Sequence, residues 1–406
     1  MKSSALFILS FLILTVSCKE RNKKFIIQEA TSKPIDLVEE AQRLSQEFII
    51  VDGHVDLPYR LRNKMEDVSI QTDGGHFDYV RARKGGLDAP FMSIYIPASY
   101  ENNGAMDLAI ELIASVEKLC ADHPDKFAMA YTPEDIEANF GRKKISLPMG
   151  LENGSPIEGS LANLNMLYNK GIRYITLTHS KDNHISDSSY DQKYTHGGLS
   201  PFGYEVIEHM NKLGIMVDVS HVSDSAFYQA VRSSKAPVIA SHSSCRHFTP
   251  GFERNVSDEM IKLIANNNGV VMINFGSAFL TKKGNEILKK LWAKVEAGAD
   301  PNDPEIKSEM DSIKNSPAVL GDISLVADHI DHVVELGGID NIGFGSDFDG
   351  VDNLPIGMED VSRYPDLIHE LLKRGYTSND IEKICYKNLF RVWNEVIAIA
   401  ENMDDV

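Results

Sequence analysis

The chain has 406 residues, of which 43% are hydrophobic and 25% are charged, and this is the composition of a soluble globular protein. The length suits one large barrel or two ordinary domains. The formal net charge is −18, and basic residues form only short pairs such as Lys143-Lys144. This charge argues against nucleic acid or an anionic membrane surface as the main partner, so no nucleic-acid binding is predicted.

The N-terminus has the features of a targeting segment. Lys2 precedes an apolar run over Ala5–Val16, which is too short for a membrane span and typical of a secretory signal. The small residue before Cys18 resembles the end of a bacterial lipoprotein signal. We therefore predict that residues 1–17 are removed, that Cys18 is lipidated, and that 18–34 form a tether. An ordinary signal peptide cleaved nearby is the alternative.

This segment predicts an exported protein on the periplasmic or cell-surface side, which touches the membrane only through its N-terminal lipid anchor. The other cysteines, Cys120, Cys245 and Cys385, lie far apart and have no CxxC spacing. Neither a zinc ribbon nor a dense disulfide framework is indicated, so we expect these thiols to be mostly buried and free.

A helix is predicted over Asp36–Leu44, with Asp36 as its N-cap, and alternating apolar runs and helical stretches follow. No Gly/Ser/Pro-rich linker or internal repeat interrupts them. The pattern predicts one (β/α)8 TIM barrel over residues 35–400, of the metal-dependent hydrolase type. The eight predicted strands are Phe48–Val55, Phe91–Ile96, Ser146–Leu151, Tyr174–Thr178, Ile215–Val219, Pro237–Ser241, Val270–Asn274 and Ile342–Ser346.

One segment departs from the alternation. Between the seventh and eighth predicted strands, Thr281–Pro317 is long, heavily charged and spaced as a helix. We predict a helical insertion. A solvated surface excursion is the favoured interpretation, and a lid or an oligomer contact is the alternative.

Residues able to bind a metal follow the predicted strands. In a barrel of this type the carboxyl ends of all strands meet on one face, where active sites lie. Each residue alone has an ordinary explanation as a loop histidine or a turn-forming aspartate. The whole set is much harder to explain by chance, and it consists of His54, Asp56, Glu152, His179, His221, His242 and Asp347.

The number and type of these side chains predict two metal ions. His54 with Asp56 can form one half of the site, and His221 with His242 the other, with Glu152 between them. Two such ions would hold a bridging water and lower its pKa, which gives a hydroxide nucleophile. Asp347 is then left to orient that water and accept its proton, and His179 to stabilise the developing oxyanion.

Several motifs in this set are specific to one family. They are Asp52-Gly53-His54-Val55-Asp56-Leu57-Pro58, Gly198-Leu199-Ser200-Pro201-Phe202-Gly203, Ser241-His242-Ser243-Ser244 and Gly345-Ser346-Asp347-Phe348-Asp349-Gly350. On these motifs the chain resembles the membrane (renal) dipeptidases, a branch of the metal-dependent amidohydrolase barrels, from about Ile49 to Trp393.

The resemblance implies a zinc-dependent dipeptidase that tolerates a D-amino acid on the C-terminal side of its dipeptide substrate. It implies one Zn²⁺ on His54 and Asp56 and a second on His221 and His242, bridged by Glu152. It further implies that His179 contacts the substrate, that Asp347 is the catalytic acid/base, and that Arg254 binds the terminal carboxylate of the substrate. Homodimers occur in the family, so a homodimer is also possible for this chain.

Two other functions stay open. One is a different amidohydrolase chemistry, on N-acyl amino acids or lactones, and the other is a non-catalytic binding lipoprotein on a barrel scaffold. The chain also departs from mammalian members in Asn274-Phe275-Gly276, where they place Tyr after Asn-Phe, so the pocket wall there is expected to differ. His329 and His332 are interpreted as structural, His247 as an incidental loop residue, and Asp349 as a residue that orients the loop.

Overall fold

The computed structural model describes residues 36–296, 303–314 and 316–404. The predicted signal peptide, the tether and Cys18 lie outside these residues, so their assignments stay predictions. No helix in the described part of the chain combines the length and the apolar content needed to cross a bilayer.

The strands of the described residues alternate with helices along the chain. They are β1 (Ile50–Val55), β2 (Leu87–Tyr95), β3 (Phe127–Met129), β4 (Ile145–Leu147), β5 (Met149–Glu152), β6 (Ile172–Thr176), β7 (Met216–Asp218), β8 (Val238–Ala240), β9 (Val270–Ile273) and β10 (Ile342–Phe344). Eight of these strands close a barrel in the order β1-β10-β9-β8-β7-β6-β5-β2, and every neighbouring pair is parallel. The predicted (β/α)8 fold is confirmed.

The helices begin where the sequence supplies caps. Asp36 accepts from the N–H of Val38, and Ser200 and Ser223 cap two later helices in the same way. The helices are α1 (Leu37–Glu47), α2 (Leu57–Asn63), α3 (Tyr79–Gly85), α4 (Ala105–Asp122), α5 (Pro133–Gly141), α6 (Leu161–Asn169), α7 (Pro201–Leu213), α8 (Asp224–Ser233), α9 (Asp258–Asn266), α10 (Ser277–Leu280), α11 (Lys282–Glu296), α12 (Pro304–Lys314), α13 (Pro317–Leu320), α14 (Ile323–Gly337), α15 (Tyr364–Lys373), α16 (Ser378–Glu382) and α17 (Asn388–Asp404).

The prediction of the third strand as one continuous run, Ser146–Leu151, is wrong. The run divides at Pro148: β4 pairs with β3 in a separate two-stranded sheet, and β5 enters the barrel between β2 and β6. Proline has no N–H to donate to a strand ladder, so the ladder breaks there. The Pro148 carbonyl still accepts from the N–H of Met92 at 2.8 Å, which keeps the two segments adjacent.

The core has an inner and an outer layer. Alternate strand residues point to opposite faces, so Val51 belongs to the cluster inside the barrel and its neighbour Ile50 to the cluster beneath the helices. From α17, the fully buried Trp393 joins the inner cluster, with its ring centroid 5.3 Å from that of Phe91. The C-terminal helix is therefore part of the barrel core.

The predicted insertion lies between β9 and β10 and contains α11 and α12. Leu291 and Asn285 of α11 are buried, and Lys294 of α11 forms an ion pair with Glu309 of α12 at 2.6 Å. The helical character is confirmed. The interpretation as a merely solvated excursion is wrong, because part of α11 packs against the rest of the protein.

His329 of α14 is a structural residue, as predicted. It is fully buried, and its Nδ1 accepts from the N–H of Cys245 at 2.9 Å. Its Nε2 therefore carries the ring proton, which it donates to the carbonyl of Leu280 at 3.0 Å. Burial lowers the pKa of His329 to about 4, because a charged imidazole would be desolvated there.

This pKa predicts a pH dependence of stability. In the unfolded chain His329 is protonated below about pH 6.5, whereas in the native state it stays neutral until the pH falls to about 4. The free energy of unfolding should therefore fall as the pH falls through that window, by on the order of 2 kcal/mol at pH 5 for this residue. Denaturant unfolding at pH 7 and pH 5 should show a smaller drop for His329→Gln than for the wild type. An equal drop in both proteins would contradict the assignment.

Candidate active site

The seven predicted side chains come together at the carboxyl face of the barrel. His54 lies in β1 and Glu152 ends β5, while the other five lie in the loops that follow their strands. All are buried except His179, whose side chain is 20% exposed. The structure thus brings together the full set, which is His54, Asp56, Glu152, His179, His221, His242 and Asp347.

Glu152 is the centre of this cluster. Its Oε1 lies 3.0 Å from the Nε2 of His221, 3.4 Å from that of His242 and 3.6 Å from that of His179. Its Oε2 lies 3.4 Å from the Nε2 of His54. The two oxygens of one carboxylate therefore face imidazoles on different sides.

The cluster favours an ionised Glu152 and neutral imidazoles at His221 and His242. Burial alone would raise the pKa of the Glu152 carboxyl, but the facing imidazoles of His54 and its neighbours hold it well below its usual range. Burial lowers the pKa of His221 and His242 well below the ordinary value, and the nearby charge of Arg254 lowers both further. Neutral imidazoles keep a lone pair available for a metal ion.

A hydrogen-bond chain fixes the orientation of His54. The Tyr174 hydroxyl donates to the Gly53 carbonyl at 3.0 Å, so it accepts from the Nδ1–H of His54 at 2.8 Å. The Nε2 of His54 then faces Glu152 and Asp56. Burial opposes a charge on His54, but Tyr174 and the two carboxylates raise its pKa well above the usual value. The site therefore favours positive charge at Nε2, which a metal ion supplies.

His242 is oriented in the same manner. The Ser241 hydroxyl donates to Asp218 Oδ2 at 2.6 Å, so its oxygen accepts from the Nδ1–H of His242 at 2.7 Å. Asp218 also accepts from the hydroxyl of Thr176 at 2.5 Å. The Nε2 of His242 is thereby presented to Glu152. Such partners fix the tautomer of a metal-binding histidine.

The cluster fits a metal centre because it contains buried polar atoms without hydrogen-bond partners and side chains that can act as metal ligands. Among the buried polar atoms without a hydrogen-bond partner in the described part of the chain, four belong to this cluster: His54 Nε2, Asp56 Oδ1, His179 Nδ1 and His221 Nδ1. Buried polar atoms are rarely left unpaired. Imidazole nitrogen and carboxylate oxygen are ligands that suit zinc.

Within this cluster, three groups of potential ligands have their atoms within 4.8 Å of one another: His54 with Glu152 and His242, Glu152 with His179 and His221, and His54 with Asp56 and Asp347. Glu152 belongs to two of these groups. The Nε2 atoms of His221 and His242 lie 2.9 Å apart. His242 also stacks on His54 with ring centroids 3.8 Å apart, so the two predicted halves are contiguous.

Backbone strain is concentrated at this face. His221 has a φ of 68°, Asp347 of 64°, Asp349 of 68° and Asn153 of 81°. Left-handed φ values cost non-glycine residues about 1 kcal/mol or more, and they persist at functional sites where the surroundings impose them. The tight turns after β5, β7 and β10 aim these side chains inward.

Asp347 is held on one oxygen only. Its Oδ2 accepts from Asn274 Nδ2 at 2.7 Å, and burial together with the charge of Asp56 raises its pKa well above the usual value. Gly350 makes room for this arrangement, since a Cβ there would lie 2.1 Å from Asp56 Oδ2 and 2.4 Å from Asp347 Oδ1. The free oxygen of Asp347 and the Asp56 carboxylate therefore share one confined space.

Two carboxylates support the loops beneath the site. Asp52 is fully buried and accepts from the N–H groups of His54 and Ser346 and from the hydroxyls of Ser346 and Tyr364. It thereby ties β1 to the loop after β10. Asp349 accepts from Arg60 at 3.0 Å, in keeping with the predicted role in orienting that loop.

A cavity of about 1120 Å³ opens above the cluster. Its wall includes Tyr95, Tyr190, Phe252 and Phe279, and it reaches Asp56, Glu152, His179, His221 and Asp347. This volume exceeds what a small ligand needs, since ordinary ligand sites occupy about 300–1,000 Å³.

Arg254 lies behind this aromatic wall. It is 3% exposed, its guanidinium lies over the ring of Phe279 at 5.3 Å, and it donates to Ser243 Oγ at 2.7 Å and to the His242 carbonyl at 2.9 Å. Its Nε has no partner in the described part of the chain. Since a guanidinium has five N–H groups, donors remain for a ligand.

The insertion and the departure at Gly276 both contribute to the cavity. Asn285 and Lys289 of α11 line it, and the Lys289 ammonium lies 5.4 Å from the ring centroid of Phe252. Gly276 lines it as well, so this part of the wall carries no side chain.

Comparisons with known proteins decide the family. A family model described as membrane dipeptidase, peptidase family M19, matches residues 38–405. The chain belongs to this family. Dipeptidase 3 of Rattus norvegicus is 32% identical over 376 residues, which are 90% of this chain and 68% of that protein. The predicted metal-dependent dipeptidase function is confirmed at this level.

Solved structures of related proteins share the barrel of this membrane dipeptidase. The probable dipeptidase PvdM from Pseudomonas aeruginosa superposes with a TM-score of 0.77 at 26% identity, covering 90% of this chain and 100% of that one. A metallopeptidase from Rhodobacter sphaeroides, liganded with a phosphinate mimic of L-Ala-D-Ala, gives a TM-score of 0.70 at 23% identity, covering 86% and 99% of the two chains. The second likeness concerns the fold alone.

Sequence reasoning missed most of the supporting residues of this membrane dipeptidase. Tyr174 lies in the middle of an apolar run and Asp218 at the end of one, so nothing local marks them as partners of histidines far away in sequence. Asn274 was considered only as part of the pocket wall, whereas it holds Asp347. Asp52 was the easiest to find, because it lies two residues before His54 within a family motif.

The Tyr174 contact predicts a change in metal retention. Tyr174→Phe removes the acceptor of the His54 Nδ1–H, so His54 is less well oriented, and metal affinity should fall about 10- to 100-fold. Competition with a chromophoric chelator would measure this. Tyr168→Phe is the matched control, because that ring packs on Arg173 of β6. Equal metal affinity in Tyr174→Phe and wild type would contradict the role of the hydroxyl.

Proposed function

We propose that this membrane dipeptidase is a binuclear zinc enzyme that hydrolyses the peptide bond of dipeptides. His54 and Asp56 would hold one Zn²⁺, His221 and His242 the other, and Glu152 would bridge them. The observation that carries the proposal is the single buried Glu152 carboxylate, whose two oxygens lie 3.0–3.6 Å from four imidazole nitrogens. When bound, the zinc ions would polarise the scissile carbonyl and lower the pKa of a water molecule.

Asp347 is proposed to move the proton. Its Oδ1 is free beside Asp56 while its Oδ2 is held by Asn274, so one oxygen can accept a proton from the attacking water and return it to the leaving amine. The raised pKa, caused by burial and by Asp56, favours the protonated form that the second step needs.

His179 is proposed to stabilise charge on the carbonyl oxygen of the substrate. It is the most exposed of the clustered imidazoles, it lines the cavity, and its Nδ1 has no partner in the described part of the chain. Burial lowers its pKa, so it acts as a neutral donor of a hydrogen bond to the developing oxyanion.

Arg254 is proposed to bind the C-terminal carboxylate of the dipeptide. Two of its N–H groups donate to Ser243 Oγ and to the His242 carbonyl, and its other N–H groups are available to bind a ligand. The side chain of the C-terminal residue would then lie among Tyr190, Phe252 and Phe279. Acceptance of a D-amino acid at this position is what the family resemblance implies.

The rival amidohydrolase chemistry is separated by a substrate panel. The panel contains dipeptides with L- or D-residues at the C-terminal side, N-acyl amino acids and lactones. Under the present proposal, kcat/KM is highest for the dipeptides. Export as a lipoprotein anchored through Cys18, and assembly into a homodimer, complete the proposed biology.

Metal removal tests the centre together with Asp347. A chelator should abolish dipeptide hydrolysis, and added zinc should restore it, because every proposed step depends on the occupied cluster. Asp347→Asn should keep its zinc content yet lose roughly 10²- to 10⁴-fold in kcat, the usual contribution of a general acid–base group. Zinc content by elemental analysis distinguishes this from a loss of metal. Full activity in the variant would overturn the proton-transfer role.

Substrate amides test Arg254. Arg254→Ala should lower kcat/KM for a dipeptide roughly 10- to 100-fold, chiefly through KM, because a hydrogen bond between charged groups contributes about 1.5–3 kcal/mol. The C-terminal amide of the same dipeptide carries no charge there and should be affected far less. An equal loss for acid and amide would assign Arg254 to support of Ser243 and His242 instead.

A further inference from the structure

A second cluster of metal-binding side chains lies outside the barrel mouth. His247 is in a short 3-10 helix (Arg246–Phe248), Asp258 begins α9, and His332 lies on α14. The Nε2 of His332 is 2.8 Å from Asp258 Oδ1, and the rings of His247 and His332 lie 4.5 Å apart. One ligand atom from each of the three lies within 4.8 Å of the others.

We propose that His247, Asp258 and His332 form a separate surface site for a divalent transition-metal ion such as zinc. Two imidazoles and one carboxylate with open positions for water are a typical zinc ligand set. His247 is exposed and the other two are half-buried, so an ion can enter from solvent. The proposal rests on these three residues and is independent of how the barrel site works.

The charges around the cluster favour a cation. Asp258 forms no ion pair with a lysine or arginine in the described part of the chain, and its carboxylate contacts the Nε2 of His332. The acid next to His332 in sequence, Asp331, is instead bound to Arg374 at 2.7 Å and to the hydroxyl of Tyr376. Asp258 is therefore the carboxylate that faces the two imidazoles, and its negative charge is not neutralised by a lysine or arginine in the described part of the chain.

The position of the site gives it a structural consequence. His247 lies on the same loop as Arg254, whose ends are joined where Cys245 pairs with Val256. The N–H of Cys245 already donates to His329, one turn before His332 on α14. An ion on His247, Asp258 and His332 would add a second connection from α9 and α14 to the outside of the loop that bears Arg254.

Metal content provides the test. Wild type, His247→Ala, Asp258→Asn and the control His209→Ala, whose half-buried imidazole lies on α7 and contacts Asn165, are equilibrated with buffered zinc and analysed per chain. Wild type and His209→Ala should each hold one more zinc ion than His247→Ala and Asp258→Asn. Because the test compares the zinc content of the four proteins, its result does not depend on how many ions the barrel site binds.

Thermal unfolding gives the second measurement. An ion that binds only the native state raises Tm with its concentration. Adding zinc to protein whose barrel is already loaded should raise the Tm of wild type and His209→Ala by several degrees more than that of His247→Ala. His247 is exposed but its ring contacts those of Phe248 and His332, so the Tm shift of each protein is measured from its own Tm without added zinc. Equal zinc contents and equal Tm shifts in all four proteins would overturn the proposal.

Discussion

A buried carboxylate must be compensated by positive charge, and this requirement at Glu152 organises the active face of the protein. Burial opposes its ionisation, and only the imidazoles around it make the ionised form stable. These imidazoles come from different strands or the loops that follow them, so the carboxylate joins segments that are nearly two hundred residues apart. An unpaired buried carboxylate would destabilise the fold, but here the negative charge of Glu152 makes the cluster suitable for binding cations.

Oriented hydrogen bonds convert this cluster into a defined centre. Tyr174 and Ser241 each accept from the Nδ1 of a histidine because their own protons are already directed to Gly53 and Asp218. Orientation therefore comes from residues that lie inside or behind the barrel wall. The Tyr174 ring also packs on Phe91, so the packing of the inner core helps to determine the position of His54.

Much of this arrangement was predictable from local sequence. Apolar runs ending in His54, Glu152, His221 and His242 indicate parallel strands with ligands at one face, since the carboxyl ends of barrel strands coincide. The division at Pro148 was missed, although proline within a run is itself a warning that the ladder breaks. For the insertion, a surface excursion was favoured over a lid, whereas α11 lines the cavity, because a charged amphipathic helix can be placed anywhere on a barrel.

The sequence by itself determined the barrel and the identity of the ionisable side chains that meet at its carboxyl face, because strand alternation and strand ends are local properties. Only the tertiary structure decided which side chains support them. Asn274 reaches Asp347, and His332 reaches Asp258 and His247 instead of its neighbours on the helix. Such pairs depend on the closure of the barrel and the packing of the helices around it, and spacing along one segment carries no record of contacts between separate segments.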